Sequence, residues 1–475
     1  MAALYTNNAS TILASGITNS ATSLTVQTGN GAKFPNPTSP DYFMCTLQGV
    51  SGTPIEIIKV TARSTDTFTI VRAQEGTTAS AFNANDIVEL RVTAGEMGNL
   101  PQLNVANTFT QNQTIYSGAL TLGSTPIGAG NSSIMKNRII NGAMVIDQRN
   151  AGASVTPATD ATYTLDRWSA RLTQSSKYSV QQNAGSVTPP AGFTKYLGVT
   201  SLSAYSVGTS DFFAMQQIIE GFNVADLGWG TANAKPITIS FLAYSSLTGT
   251  FGGSVYNNGG TRNYPFSYSI PVANTWTTIS VTIAGDTSGT WITTNTGGLY
   301  VQFGLGVGST YSGTAGSWSG TNYLSATGAT SVVGTSGATF YITGVQLEVG
   351  SSATGFEYVN YQTSLANCQR YYAKSYATGT APATAYTAGS SGVSLAVNLV
   401  PGMGTGFTLP VTLRAAPTLT VYDAAGTSAK MTYYSGGWTN GGAILTSYAD
   451  TQQGFAQVTP TSTAISFHYT VSAEL

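Results

Sequence analysis

At 475 residues the chain is too long for one ordinary core, and typical domain sizes give about three. Charged residues make up only 8%, with 18 Lys plus Arg against 19 Asp plus Glu, which leaves no basic footprint for nucleic acid or an anionic membrane. A hydrophobic content of 41% with 11% aromatics can bury cores despite 54 glycines, so a disordered chain is excluded as well.

The remainder is rich in Ser, Thr, Asn, Gly and Tyr, a mix suited to short strands joined by tight turns, and it predicts an all-β, multidomain chain. Cys45 and Cys368 form neither a metal spacing nor a disulfide framework, and both are expected as buried thiols of a protein folded in a reducing cytoplasm. The opening MAALYTNNASTILASG lacks a basic n-region and an apolar h-region, and no run approaches transmembrane length. No membrane insertion is expected, and a role outside the cell would require release by lysis.

Residues 1–95 read as a small β domain. Leu24 and Val26 flank Thr25, Ile58 and Val60 flank Lys59, Phe68 and Ile70 flank Thr69, and Val88, Leu90 and Val92 interleave with Glu89 and Arg91. The order FP, EIIKVTA, TFTIVRAQEGTTA, NDIVELRVTAGE resembles an N-terminal domain of bacteriophage tail and fibre proteins. That resemblance implies attachment to other tail or baseplate proteins of a virion. The family's usual form has glycine where this chain has Ala73, and often where it has Asn85, a residue that tolerates a left-handed turn.

Between residues 96 and 135 the aliphatics thin out among Asn, Gln, Thr and Gly, too few for a core from one chain. NTFTQNQTI resembles the start of a phage-fibre shaft, which implies a homotrimer; a flexible linker is the alternative.

Residues 136–373 read as one large β domain. Strands are expected at 237–244, 277–283 and 299–305, with Ile279, Val281 and Ile283 facing one way in the second and Leu299, Val301, Phe303 and Leu305 inward in the third. Near its end Phe340 and Ile342 alternate with Tyr341 and Thr343, and the parity flips after Gly344, where Val345 and Leu347 become the apolar pair. A bulge at Thr343-Gly344 would keep all four inward and leave Gln346 and Glu348 outward. Leu365, Cys368 and Tyr372 then recur at helical spacing behind Thr363 and Ser364, which predicts a short hydroxyl-capped helical turn. The opening NRIINGAMVIDQRN and TYTLDRWSA, with the closing VQLEVG, ATGFE and CQRYY, resembles a module of tailed-phage fibres. Its implied fold is a jelly-roll sandwich akin to carbohydrate-binding modules.

Residues 374–475 read as a second β-sandwich. Val393, Leu395, Val397 and Leu399 alternate, as do Ile465, Phe467, Tyr469 and Val471. FTLPVTLRAAPT and the closing SAEL resemble the terminal domain of the same fibres, implying a receptor-binding tip.

Catalytic signatures are missing. His468 is the only histidine, expected as an exposed or subunit-interface side chain of the last strand, and no GxSxG, HExxH, CxxC or P-loop spacing occurs. Asp160, Asp166, Glu220 and Asp226 are the carboxylates that a glycan-cleaving site would need, but Asp166 reads better as the partner of Arg167 beneath a buried Trp168. The expectation is no enzyme, no cofactor and no metal; at the strand where carbohydrate-binding modules place acidic calcium ligands, this chain has Thr343 and Gly344.

Aromatics beside amides in Gly/Ser loops carry the remaining signal, because a sugar's apolar face stacks on a ring while amides bond its hydroxyls. Two clusters fit: Tyr433, Tyr434, Trp438, Asn440 and Tyr448 in the terminal domain, and Tyr311, Trp318, Asn322 and Tyr323 in the large one. Taken with the resemblance, they imply a virion tail fibre, assembled in the host cytoplasm, that binds a host-surface polysaccharide or protein. The alternatives are a purely structural tail, collar, baseplate or capsid-decorating fibre, and a glycan-depolymerising tailspike.

Overall fold

The computed structural model describes residues 3–98, 135–389, 393–396, 404–459 and 462–475. The chain forms two compact units, Met1–Leu120 and Thr121–Leu475. Both are all-β. Nearly all of the expected shaft lies outside the described residues, as do Val397 and Leu399.

The first unit holds β1 (Ser10–Ile12), β2 (Ser23–Thr25), β3 (Phe43–Gln48), β4 (Ile55–Ser64), β5 (Thr67–Gln74), β6 (Ile87–Glu89) and the short helix α1 (Ala94–Gly98). The strands form one sheet in the order β1-β6-β3-β4-β5-β2, and a Leu13–Val26 bridge joins its two edges. Phe34, Phe43 and Phe68 pack edge and face inside it. Glu56 is wholly buried, where Arg72 and the Ala73 and Ser80 amides donate to it. Burial pushes this carboxyl up, but those donors outweigh it and hold its pKa below the usual range. Ala73 and Asn85 have φ of 53° and 76°. A left-handed conformation is what glycine would supply there.

The second unit begins with a sandwich built from β7 (Thr162–Leu165), β8 (Trp168–Leu172), β9 (Tyr178–Gln182), β10 (Leu197–Ser201), β11 (Phe212–Glu220), β12 (Ile237–Ser245), β13 (Gly249–Tyr256), β14 (Asn263–Ile270), β15 (Thr277–Ile283), β16 (Gly297–Val307), the short pair β17 (Ser312–Gly313) and β18 (Ser325–Ala326), and β19 (Thr339–Val349). One sheet runs β15-β12-β19-β10-β9 and the other β14-β13-β16-β11-β8-β7. Trp168, Phe213, Phe241, Phe251, Phe303 and Phe340 fill the space between them.

The expected bulge in β19 is present: its register with β12 slips beside Thr343, Gly344 has φ +61°, and Phe340, Ile342, Val345 and Leu347 are all buried. Gln346 and Glu348 do not reach solvent as expected. The segment after β19 folds back over them, so that Gln346 bonds Glu348 at 2.9 Å and accepts from the Glu357 amide, while Thr354 donates to Glu348.

Helix α2 (Tyr361–Gln369) follows, capped by the Asn360 side chain accepting from the Thr363 amide at 2.8 Å, where a hydroxyl cap was expected. The last strands are β20 (Tyr372–Lys374), β21 (Val393–Ala396), β22 (Gly404–Thr408), β23 (Thr418–Tyr422), β24 (Lys430–Tyr434), β25 (Trp438–Ala449), β26 (Gln453–Val458) and β27 (Ala464–Ser472). β27 is their hub, pairing with β20, β21, β23 and β24. Cys45 and Cys368 are both free and buried, and burial pushes each thiol pKa up. Among the described residues no helix is long and apolar enough to cross a membrane.

The seam between the two sandwiches revises the expected pairing of Asp166 with Arg167. Arg167 does not pair with Asp166; it bonds Glu474 and lies 3.6 Å over the Tyr371 ring, while Asp166 accepts from the Gln148 amide and side chain. Arg149 reaches the other Glu474 oxygen at 2.7 Å and stacks 3.8 Å over Tyr372. Arg370 makes a bidentate bond to buried Glu220.

His468 is buried, not exposed. Its ring stacks on Tyr376 at 3.8 Å and meets the edge of Tyr386 at 4.5 Å, with Nδ1 2.9 Å from the Ser375 hydroxyl.

Two predictions follow from these contacts. Glu474→Gln leaves two buried guanidiniums without their counter-charge and should cost about 3 kcal/mol. Denaturant unfolding, with protease cutting near residues 353–373 as a second readout, checks it. Burial holds His468 down at a pKa of about 4, against about 6.5 unfolded. Between these values the unfolded chain takes up a proton that the folded one refuses, so stability falls as pH drops through that window. His468→Gln should remove about 3 kcal/mol of the loss measured between pH 7 and pH 4.

Candidate functional site

In β16, Leu299, Val301 and Phe303 face the core, so Tyr300 and Gln302 lie on the outer side of the six-stranded sheet. The same alternation puts Tyr256 of β13, Gln216 of β11 and Arg171 of β8 on that side. Register then brings them together: Tyr256 lies opposite Tyr300, and Gln216 opposite Gln302. The two tyrosine rings stack nearly parallel, 5.0 Å apart with 20° between planes.

Amides and one guanidinium hold this surface. Gln216 donates to the Tyr256 hydroxyl and, at 3.2 Å, to Gln302; the Tyr256 hydroxyl donates to Gln302 at 3.2 Å. Arg171 donates to Gln216 at 3.1 Å and to Tyr256 at 3.3 Å, and Asp160 grips its other side at 2.8 and 3.2 Å. Burial would lower the Arg171 pKa, but the Asp160 contact outweighs it and the net shift is upward. Burial pushes Tyr256 up to about 12, so its phenol keeps the proton it donates.

Above the tyrosines the chain leaves a hollow of about 200 Å³. One wall is the turn at Asn258–Gly260, where Tyr300 donates to Asn258 at 3.2 Å. The other is the loop carrying Tyr311, Asn322 and Leu324, with Tyr311 edge-on to Phe212 at 5.6 Å.

Two of the sequence candidates, Tyr311 and Asn322, therefore line the hollow. Trp318 does not. It donates to the Ala284 carbonyl at 2.8 Å and packs, half-buried, with Trp229, Trp291 and Tyr264 at 5.3, 5.6 and 5.2 Å against the edge of the sandwich core. Tyr323 is half-buried against Gly313 inside its own loop.

The terminal cluster is split along β25. Trp438 is 41% exposed and meets Tyr434 edge-on at 5.4 Å, while Tyr448 stands at the opposite end of the strand, stacked on Phe455. Tyr433 packs against the terminal core, and the Asn440 oxygen accepts from Thr432 at 2.7 Å.

The carboxylates are occupied. Asp160 is held by Arg171, Asp226 by Arg138, Glu220 by Arg370 and Tyr371, and Asp166 by Gln148, with burial pushing Asp166 up to about 6. The Ser375 hydroxyl beside His468 accepts from the Tyr469 amide at 2.8 Å, a backbone-bracing role. Among the described residues no group of three or more His, Cys, Asp or Glu could hold a metal ion.

A larger hollow, about 540 Å³, lies between residues 135–145, Phe193, Phe356, Tyr358 and α2. Its rings meet edge-on or tilted, at 5.1 to 5.6 Å, and none is paired face to face.

Tyr256, Tyr300, Gln216, Gln302 and Arg171 were not singled out from sequence. Their signal is faint: the outward positions of an apolar strand carry Tyr and Gln where Ser and Thr are commoner in this chain.

No protein-family model matches the chain, and the search of curated proteins finds no match. Among solved structures, the enzymatically active domain of tailspike protein 4 of bacteriophage CBA120 aligns at 13% identity and TM-score 0.25, covering 45% of this chain and 21% of that one. A putative sugar-binding protein from Bacteroides thetaiotaomicron aligns at 14% identity and TM-score 0.25, over 45% of this chain and 100% of that one. A family 11 carbohydrate-binding module of a Clostridium thermocellum cellulase aligns at 13% and 0.22, over 43% and 99%.

Proposed function

We propose that this chain is a virion tail fibre whose jelly roll binds a host-surface glycan in the hollow above Tyr256 and Tyr300, without cleaving it. The observation that carries this reading is the stacked tyrosine pair set beside the Asn258 and Asn322 amides and the Gln216–Gln302 network. A pyranose buries its apolar face on a ring of this kind, and its hydroxyls exchange water for amides. Binding is favoured over cleavage because each candidate carboxylate is engaged by a cation or an amide.

The place on a virion rests on the sequence resemblance. On that reading the first unit attaches to other particle proteins, copies of residues 96–135 wind into a homotrimeric shaft, and the protein assembles in the host cytoplasm and acts on the virion. The terminal sandwich is then the distal part, with Trp438 and Tyr448 available for a second contact.

The test is binding of the full chain to host cells and to an immobilised glycan array. Tyr300→Ala should weaken binding about tenfold, the loss of one stacking contact with its buried area, and Trp438→Ala should leave array binding unchanged. The reverse pattern would move recognition to the tip. No binding to either surface would leave a purely structural fibre, and release of reducing sugar from host polysaccharide would reinstate a depolymerase.

A further inference from the structure

The hollow also constrains what part of a glycan can enter, an inference that rests on the glycan-binding reading above. We infer that it takes a single uncharged sugar at the end of a glycan chain, not an internal stretch of polymer.

Size is the first argument. Pockets for drug-sized ligands run to roughly 300–1,000 Å³. The hollow offers about 200 Å³, room for one ring and little more.

Closure is the second. A polymer bound along its length needs a groove open at both ends, but here the turn and the loop meet. A Cβ built on Gly260 would stand 2.7 Å from the Asn322 side-chain oxygen, so the two walls are in contact, and only glycine at φ +65° lets them come so near. A second closure comes from Tyr311 against Phe212 at 5.6 Å, and the Leu324 amide ties that loop to the Tyr311 carbonyl at 2.7 Å.

Charge is the third argument. Arg171 is the only charged residue lining the hollow, and the bidentate Asp160 contact neutralises it. An acidic sugar would have to compete with Asp160 for the guanidinium. The polar groups left over are neutral: Asn322 makes no side-chain hydrogen bond among the described residues, and Asn258 is engaged only through its oxygen, by Tyr300. Amides of this kind pair with hydroxyls, since each offers both donor and acceptor.

The experiment uses the full chain and the glycan selected by the array. Calorimetric titration compares the methyl glycoside of its terminal sugar, a length series of the same oligosaccharide, and that series with the terminal ring oxidised open. Terminal recognition predicts that the methyl glycoside binds, that affinity changes by less than about threefold along the series, and that ring opening abolishes binding. Asn322→Ala, which unplugs the closed end, should make affinity rise with chain length. An affinity that climbs with length in the unaltered protein, while the methyl glycoside fails to bind, overturns terminal recognition and leaves the glycan-binding reading standing. Selection of an acidic terminal sugar overturns the charge argument and with it the inference as stated. Failure of the array to capture the protein overturns both readings together.

Discussion

Two guanidiniums taken out of water at the seam of the larger unit must find a counter-charge, and Glu474 supplies it to both. Each guanidinium also lies flat on a tyrosine, Arg167 on Tyr371 and Arg149 on Tyr372, so the contact combines ion pairing with ring stacking in a site that excludes solvent. The consequences run along β27. That strand ends two residues before Glu474 and pairs with four others, so its anchorage positions most of the terminal sheet. Arg414 adds a second tie, donating to the Ala473 and Glu474 carbonyls from one side and to Asn295 of the jelly roll from the other.

The seam also draws on three separated stretches of the sequence. DRW contributes Arg167 and Trp168, CQRYY contributes Arg370 and both tyrosines, and SAEL contributes Glu474. Each is unremarkable alone. In the fold Arg167 meets both Tyr371 and Glu474, and Tyr371 shares Glu220 with Arg370, so their contribution is to architecture.

The surface proposed for binding arises from the strand alternation that builds the core. In β16 the same stretch puts Leu299, Val301 and Phe303 into the sandwich and Tyr300 and Gln302 outside it, so core packing rigidly presents the outer side chains. Loops then shape the surface, as the Gly260–Asn322 contact does. Scarcity of charge serves both ends. The ion pairs of the larger unit brace its seam and turns, and the hollow is left lined by phenols and amides.

Sequence alone determined the all-β character, the strands of the large sandwich, the bulge at Thr343-Gly344 and the scarcity of surface charge, because alternation and turn chemistry are local and survive without tertiary information. It also singled out Tyr311 and Asn322, which line the hollow beside Tyr300, since a polar loop with rings and amides is a local feature too. What it could not decide was which loop ring turns inward, as Trp318 does, or that His468 and Glu348 are covered by segments that return over them. It could not join Arg167 to Glu474, or Tyr256 to Tyr300. Those pairings depend on strand register and on sheets meeting across hundreds of residues, and only the folded chain sets them.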